Sequence, residues 1–552
     1  MAEEPAAAGA AHEYPTIDPS FDVVLCGTGL PESVLAAACA AAGKTVLHVD
    51  PNPFYGSHYT SIPLLSLASF LSPDPSPSSS TVAAAATSGS HTVVDLHRRT
   101  VYSEVETSGA IPELARRFTV DLVGPRVLYC ADEAVDLLLR SGGSHHVEFK
   151  SVDGGSLLYW EGCLYPVPGS RGAIFSDTTL KHTEKFVAYK FLKVVQEHIA
   201  ATSASADERG EEEDAAMISE EDLYRPFVEF LNQHSLSAKM RAVVLYAIAM
   251  ADYDQDGPEP SDKLITTREG IKTIALYLSS IGRFANAEGA FIYPMYGHGE
   301  LPQAFCRCAA VKGALYVLRM PVAALLMDEE KKHFVGARLA SGQDISCKRL
   351  IIDPSYKIPT LDVPSDDSNS NFPRSVARGI CIFSKSLKQG TSNVLVVFPP
   401  KSLEEKQVAA VRLLQLSSNL AVCPSGMFMA YLSTPCTDAS AGKHCIKKAI
   451  DALFSPQPQD SDGFEGHLES TSESTDDMKP TLIWSCVYVQ EITQGTSTSG
   501  SSWSCPMPDE NLDYRNILES TKKLFADIYP DEEFLPRNSA PVHGDDDSDS
   551  AE

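Results

Sequence analysis

The chain has 552 residues, 43% of them hydrophobic, which is enough to build core in two or more domains. Its 73 acidic against 45 basic side chains leave a formal charge of −28, which argues against nucleic acid or an anionic membrane as the main partner. The 13 cysteines are odd in number and include no C-x-x-C pair, so neither a disulfide framework nor a zinc site is expected, and the chain reads as a reduced, soluble, cytosolic protein.

Residues 1–19 begin MAEEPAAAGAAHEYP, without the basic and apolar regions of a secretory signal, and read as a disordered leader. No run of about 18 apolar residues offers a membrane span. The stretch 21–56, FDVVLCGTGLPESVLAAACAAAGKTVLHVDPNPFYG, then carries the opening of a dinucleotide fold. A buried strand Phe21 to Cys26 leads into the turn Gly27-Thr28-Gly29, a small-residue helix from Glu32 to about Ala42, and a second strand Thr45 to Val49 ending at Asp50. This is the βαβ order of a Rossmann-like unit. In a nucleotide binder the third glycine of G-x-G-x-x-G lets helix and strand approach, and the helix N-terminus faces the pyrophosphate. Glu32 stands in that third place, where its carboxylate repels phosphate. Asp50, about twenty residues after the turn, suits either the ribose hydroxyls or a cap on the turn that follows its strand. The motif of Gly27, Gly29, Glu32 and Asp50 therefore reads as vestigial, and no cofactor is expected.

Residues 71–90 are rich in Pro, Ser and Ala, lack periodicity, and read as a disordered insertion. Short strand-like and amphipathic pieces continue to 172. The Gly and Pro punctuation of LLYWEGCLYPVPG suggests hairpins, and His145-His146 reads as a solvated pair. From 173 to 288 the pattern is helical: Phe186, Tyr189, Leu192, Val195 and Ile199 recur at three and four, and further amphipathic segments run to IALYLSSIGRF. The acidic run DERGEEED at 207–214 reads as a solvated loop. Asp252, Asp254 and Asp256 resemble a fragment of a calcium loop. The twelfth position from Asp252 is Lys263, where a bidentate glutamate belongs, so no metal is expected. Residues 289–536 return to sheet, with Trp484 in a core strand, and 537–552 form an acidic, disordered tail.

Two separated blocks, HVDPNPFYG at 48–56 and PMYGHGELPQAFCR at 294–307, resemble the superfamily of Rab GDP-dissociation inhibitors and Rab escort proteins. The length and the segments ARGICIFSKSL, LIWSCVYVQ and KKLFADIYPDEEFLP resemble its escort branch, and the resemblance covers most of residues 20–536. It implies an α/β fold of FAD-binding, Rossmann type that has given up the flavin. A discontinuous sheet domain, 20–172 with 289–536, would carry an inserted helical domain at 173–288. It further implies a non-catalytic accessory subunit of Rab geranylgeranyltransferase. Such a subunit binds newly made, GDP-bound Rab GTPases and presents them to the catalytic αβ heterodimer. It also shelters the geranylgeranyl group and delivers the lipidated Rab in transient contact with membranes.

Carried over residue by residue, the family's Rab-binding platform falls on Tyr55, Glu300 and Arg307. The prenyltransferase-docking anchor falls on Tyr277, where animal escort proteins have Phe and the inhibitors have Tyr. The family's Y-Y-G-G is Phe54-Tyr55-Gly56-Ser57 here, which keeps the tyrosine but not the second glycine. The segment DYDQDGPEP aligns with the family's mobile effector loop. On spacing alone, Glu300 and Arg307 share one face of a helix, where they pair with each other or with charges on a partner. Two other readings stay open: a plain GDP-dissociation inhibitor that recycles prenylated Rab, and a flavin-dependent oxidoreductase. No nucleophile elbow, phosphate loop or zinc motif is present elsewhere.

Overall fold

The computed structural model describes residues 14–72, 91–169, 171–203, 217–257, 263–287, 289–328, 334–357, 375–456, 479–493, 496–499 and 501–536. Residues 73–90 of the insertion expected at 71–90, the acidic run at 207–214, residues 258–262 of the Asp-rich loop and the tail from 537 lie outside the described residues, while Leu71, at the start of that insertion, is buried at the end of the helix Leu67–Leu71.

The predicted βαβ opening is present as the strand Ser20–Cys26, the helix Leu30–Ala41 and the strand Val46–Asp50. The first strand is the middle of a mixed sheet. It runs parallel to Val46–Asp50 on one side and to Asp344–Ile352 on the other, with Leu25 opposite His48 and Ile351. Strands Leu315–Leu318 and Ser502–Ser504 extend the parallel part, and Phe334–Leu339, Val322–Asp328 and His91–Asp95 continue antiparallel. Such parallel strands are covered on both faces, which is why they read as unbroken apolar runs. Ile17, inside the leader expected to be disordered, is in fact buried, and its amide donates to the Gln343 side chain at 3.1 Å. Order therefore begins before Ser20.

A second sheet is centred on Ser375–Ser384, which pairs antiparallel with both Met427–Cys436 and Thr481–Glu491. The segments ARGICIFSKSL and LIWSCVYVQ are thus neighbours, with Ile380 opposite Cys486, and Trp484 is buried as expected. The suggested hairpin forms from Ser156–Trp160 and Cys163–Pro166. Both of its turn residues, Glu161 and Gly162, have positive φ, as a tight two-residue turn requires.

The helices of 171–280 lie on this second sheet and share its core: Val243, Ile248 and Ile274 pack in one cluster with Ile380, Leu395 and Leu414. The helix Thr267–Ser280 starts at a capping box made by Thr266 and Glu269. The stripe predicted on the helix His182–Ser203 is rotated: Ala188, Phe191, Val195 and His198 are buried, while Phe186 is exposed. The prediction missed Phe191, whose large ring decides which face turns inward.

Three arginines are buried where the two sheets meet the C-terminal segment. Arg126 donates to the Asp509 carboxylate (2.5 Å) and to the carbonyls of Asp509 and Asp513. Arg378 donates to Gln490 Oε1 (2.6 Å) and to the carbonyls of Val123, Gly124 and Asp509. Arg412 pairs with Asp252 (2.6 Å) and donates to the Met250 carbonyl (2.6 Å).

Candidate partner-binding site and apolar cavity

The Gly-rich turn is filled from within. Asp50 Oδ2 accepts from the Thr28 amide (2.8 Å), the Thr28 hydroxyl (2.6 Å) and the Ser57 hydroxyl (2.9 Å), and its Oδ1 accepts from the Asn52 amide (2.7 Å). Of the two readings open for Asp50, the turn cap is the one observed. A Cβ on Gly27 would lie 2.7 Å from Asp353 Cβ, and one on Gly29 would strike Glu32 Oε2. Glu32 is buried, and that burial, reinforced by Asp353, pushes its carboxyl well above the usual range. Side chains, three of them carboxylic, hold the ground a pyrophosphate needs, so a flavin dinucleotide does not fit these residues.

Beside this filled crevice the two matched blocks meet. Gly297, His298 and Gly299 turn the chain from the strand Phe291–Pro294 into the helix Glu300–Val311. Gly297 has φ +107°, and a Cβ on Gly299 would lie 2.7 Å from the Ser61 amide nitrogen, so both positions need glycine. The Gly299 amide donates to Ser61 Oγ at 2.7 Å, and Ser61 in turn donates to Asp121. His298 is buried beneath: its Nε2 donates to the Arg126 carbonyl and its Nδ1 accepts from the Tyr514 hydroxyl, each at 2.8 Å. The helix buries Ala304, Phe305 and Cys306, with Ser33 Oγ 3.3 Å from Cys306 Sγ on the helix Leu30–Ala41. Glu300, Gln303 and Arg307 are left on the outer face.

Tyr55, Glu300 and Arg307 come together here. Burial raises the pKa of both the half-buried Tyr55 and Glu300, and the positive charge of Arg307 draws both back down. Glu300 accepts from Gln303 Nε2 at 3.2 Å, and the Tyr55 ring meets Tyr316 edge-on at 6.2 Å. Arg307 is exposed and makes no ion pair among the described residues, so the option that it pairs with Glu300 is not realised. Tyr296, 56% exposed with φ +68°, projects from the same block and was not singled out from the sequence; an aromatic beside a glycine turn was the available signal.

Tyr277 does not project. It is 6% exposed on the helix Thr267–Ser280, its ring is 6.0 Å from Phe291, and burial pushes its hydroxyl up to about 12. It walls a cavity of about 310 Å³ lined also by Phe191, Met240, Val244, Ile248 and Ile274. The residue expected as the prenyltransferase-docking anchor thus packs its ring inward and lines the cavity. The segment Val243–Ile248, part of that wall, is wound as a π-helix. In the Asp-rich loop each carboxylate has its own cation: Asp252 with Arg412, Asp254 with Lys401 (2.5 Å) and Asp256 with Arg241 (3.7 Å). No cluster of three or more metal-binding side chains occurs among the described residues.

A family model described as GDP dissociation inhibitor matches residues 17–84 and 84–481. The chain belongs to the GDP dissociation inhibitor family. Within that family it stands with the escort proteins. "Rab escort protein 1" of Arabidopsis thaliana is 46% identical, over 96% of this chain and 96% of that one. "Rab proteins geranylgeranyltransferase component A" of Drosophila melanogaster is 29% identical, over 96% and 93%. Among solved structures, the Rab GDI of Plasmodium falciparum aligns with a TM-score of 0.64 at 19% identity, over 93% of this chain and 99% of that one. An oxidoreductase from Methanosarcina mazei aligns at 0.51 with 10% identity, over 91% and 99%. These two likenesses concern the fold alone, and it is the α/β fold expected from the sequence. No helix among the described residues is long and apolar enough to cross a membrane.

Proposed function

We propose that this family member is the escort component of Rab geranylgeranyltransferase. It binds newly synthesised, GDP-bound Rab through Tyr55, Glu300 and Arg307, presents the Rab tail to the catalytic αβ heterodimer, and carries the lipidated product through the cytosol to a membrane. The observation that carries this reading is Arg307, an exposed guanidinium without an ion pair among the described residues, held beside Tyr55 and Glu300 on a helix whose N-terminus is tied to Ser61. Its planar fork can give two parallel hydrogen bonds to a partner, and an adjacent tyrosine adds rigid contact area. The chain takes no bond-making role: its crevice is filled by Asp50, Glu32 and Asp353, and the transfer belongs to the αβ enzyme.

The lipid also needs a shelter, because each exposed CH₂ group in water costs about 0.8 kcal/mol. We assign that role to the cavity among the helices, which is apolar and bounded by the π-helical segment Val243–Ile248.

The test is reconstituted geranylgeranylation from unprenylated Rab-GDP, purified αβ transferase and lipid donor, with and without this protein. Transfer that depends on the protein is the expected result. Absence of transfer, together with binding only to prelipidated Rab, would replace the escort reading by that of a recycling inhibitor.

A further inference from the structure

Ser57 has φ +45°, in the left-handed region that an L side chain enters only with strain and glycine enters freely. A strained non-glycine residue persists where its side chain does something that offsets the strain. The Ser57 hydroxyl is buried and doubly used: it accepts from the Thr28 amide at 2.9 Å and donates to Asp50 Oδ2 at 2.9 Å. Thr28 closes the ring, donating its hydroxyl to Asp50 (2.6 Å) while accepting from the Gly56 amide (2.9 Å). The turn residues before Tyr55 are held by Asp50 through the Asn52 amide, and the Tyr55 carbonyl itself accepts from Thr60 Oγ1 at 2.8 Å. Four hydrogen bonds from residues 52–57 therefore run to Asp50 and Thr28, the acidic residue and the turn of the vestigial nucleotide motif, and the Asn52 carbonyl adds a separate tie by accepting from the Arg319 amide at 3.0 Å.

We propose that Ser57 is a positioning residue for partner binding: with Asp50 and Thr28 it locks the 51–57 loop onto the old phosphate turn, so that Tyr55 is presented beside Arg307. The former cofactor site thus acts as the loop's anchorage. This rests on the reading of Tyr55 as a contact residue. Neither side chain of the anchorage reaches the partner itself, since Ser57 and Asp50 are both buried.

The experiment is a titration of Rab-GDP against Ser57→Gly, Tyr55→Ala and the double variant, with thermal midpoints and steady-state geranylgeranylation alongside. Glycine relieves the strained φ as it removes two hydrogen bonds, so the midpoint should move little. Affinity should fall roughly tenfold in Ser57→Gly, within the range of coupling between touching residues, and by less than about twofold when Tyr55 is already alanine. In the transferase assay the apparent KM for Rab should rise with kcat unchanged. Wild-type affinity in Ser57→Gly, or an equal loss in both Tyr55 backgrounds, overturns the proposal and leaves the Tyr55 assignment standing. Undiminished affinity in Tyr55→Ala alone overturns the Tyr55 assignment, and this proposal with it.

Discussion

Arg307 is exposed and makes no ion pair among the described residues, so its replacement by alanine should change stability by no more than about 0.5 kcal/mol. Affinity for GDP-bound Rab should nevertheless fall by more than about 1 kcal/mol, roughly fivefold, with Glu300→Ala losing a similar amount; unchanged binding by a folded double variant would remove both from the platform. His298 in the same motif behaves in the opposite way. It is buried and neutral, and its pKa is pushed down to about 3, chiefly by burial, with donation to the Arg126 carbonyl opposing and the Arg126 charge assisting. A histidine depressed in the fold contributes stability above its unfolded pKa near 6.5 and loses it as pH falls towards the folded value, by about 1.4 kcal/mol per unit. His298→Gln should therefore be less stable than the parent at pH 7, and the gap in thermal midpoint should narrow as pH falls towards 4. A gap that stays constant across that range would mean His298 is not held neutral. At this scale the sequence revealed Tyr55, Glu300 and Arg307 through their motifs. Ser57 showed only as a departure, because its hydrogen bonds join Thr28 and Asp50, which meet it only once the sheet has formed.

Among the elements, the helix Thr267–Ser280 shows how far periodicity can go. Its helical run was readable from the apolar spacing, whereas the capping box of Thr266 and Glu269, although local, was not singled out. The direction in which Tyr277 points was not readable, since that depends on Phe291 from a distant strand and on Phe191 from another helix. Truncation by Tyr277→Ala should enlarge the cavity and destabilise the protein by about 2–5 kcal/mol. Transferase docking and capture of lipidated Rab should then fall together. Pull-down against each partner separately decides the matter, because loss of docking alone would restore Tyr277 as a surface anchor. The first helix was legible for a simpler reason: its run of alanines fits only where another helix, Glu300–Val311, comes close on one side and the sheet on the other.

For the molecule as a whole, the division into a sheet domain and an inserted helical domain describes the chain path better than the packing, since the helices and the second sheet share one core. Arg126, Arg378 and Arg412 tie that body to residues 509–513, and nothing in the sequence pattern distinguishes these arginines from surface ones. Arg378→Leu would strand the carbonyls of Val123 and Gly124 and the Gln490 amide oxygen, and would leave the Asp509 carbonyl to Arg126 alone. It should cost at least about 3 kcal/mol. A single unfolding transition at lower denaturant is expected, and two separate transitions would show that the C-terminal segment is not part of one cooperative unit. The same architecture has a consequence in time. The first strand completes its sheet only when residues some 326 positions later arrive, as the pairing of Asp22 with Lys348 illustrates. At translation rates of about 5–20 residues per second the strand waits on the order of tens of seconds with an apolar edge unpaired. The vulnerable form of this protein is therefore the nascent chain on the ribosome, and its yield in a cell should depend on what shields that edge during synthesis.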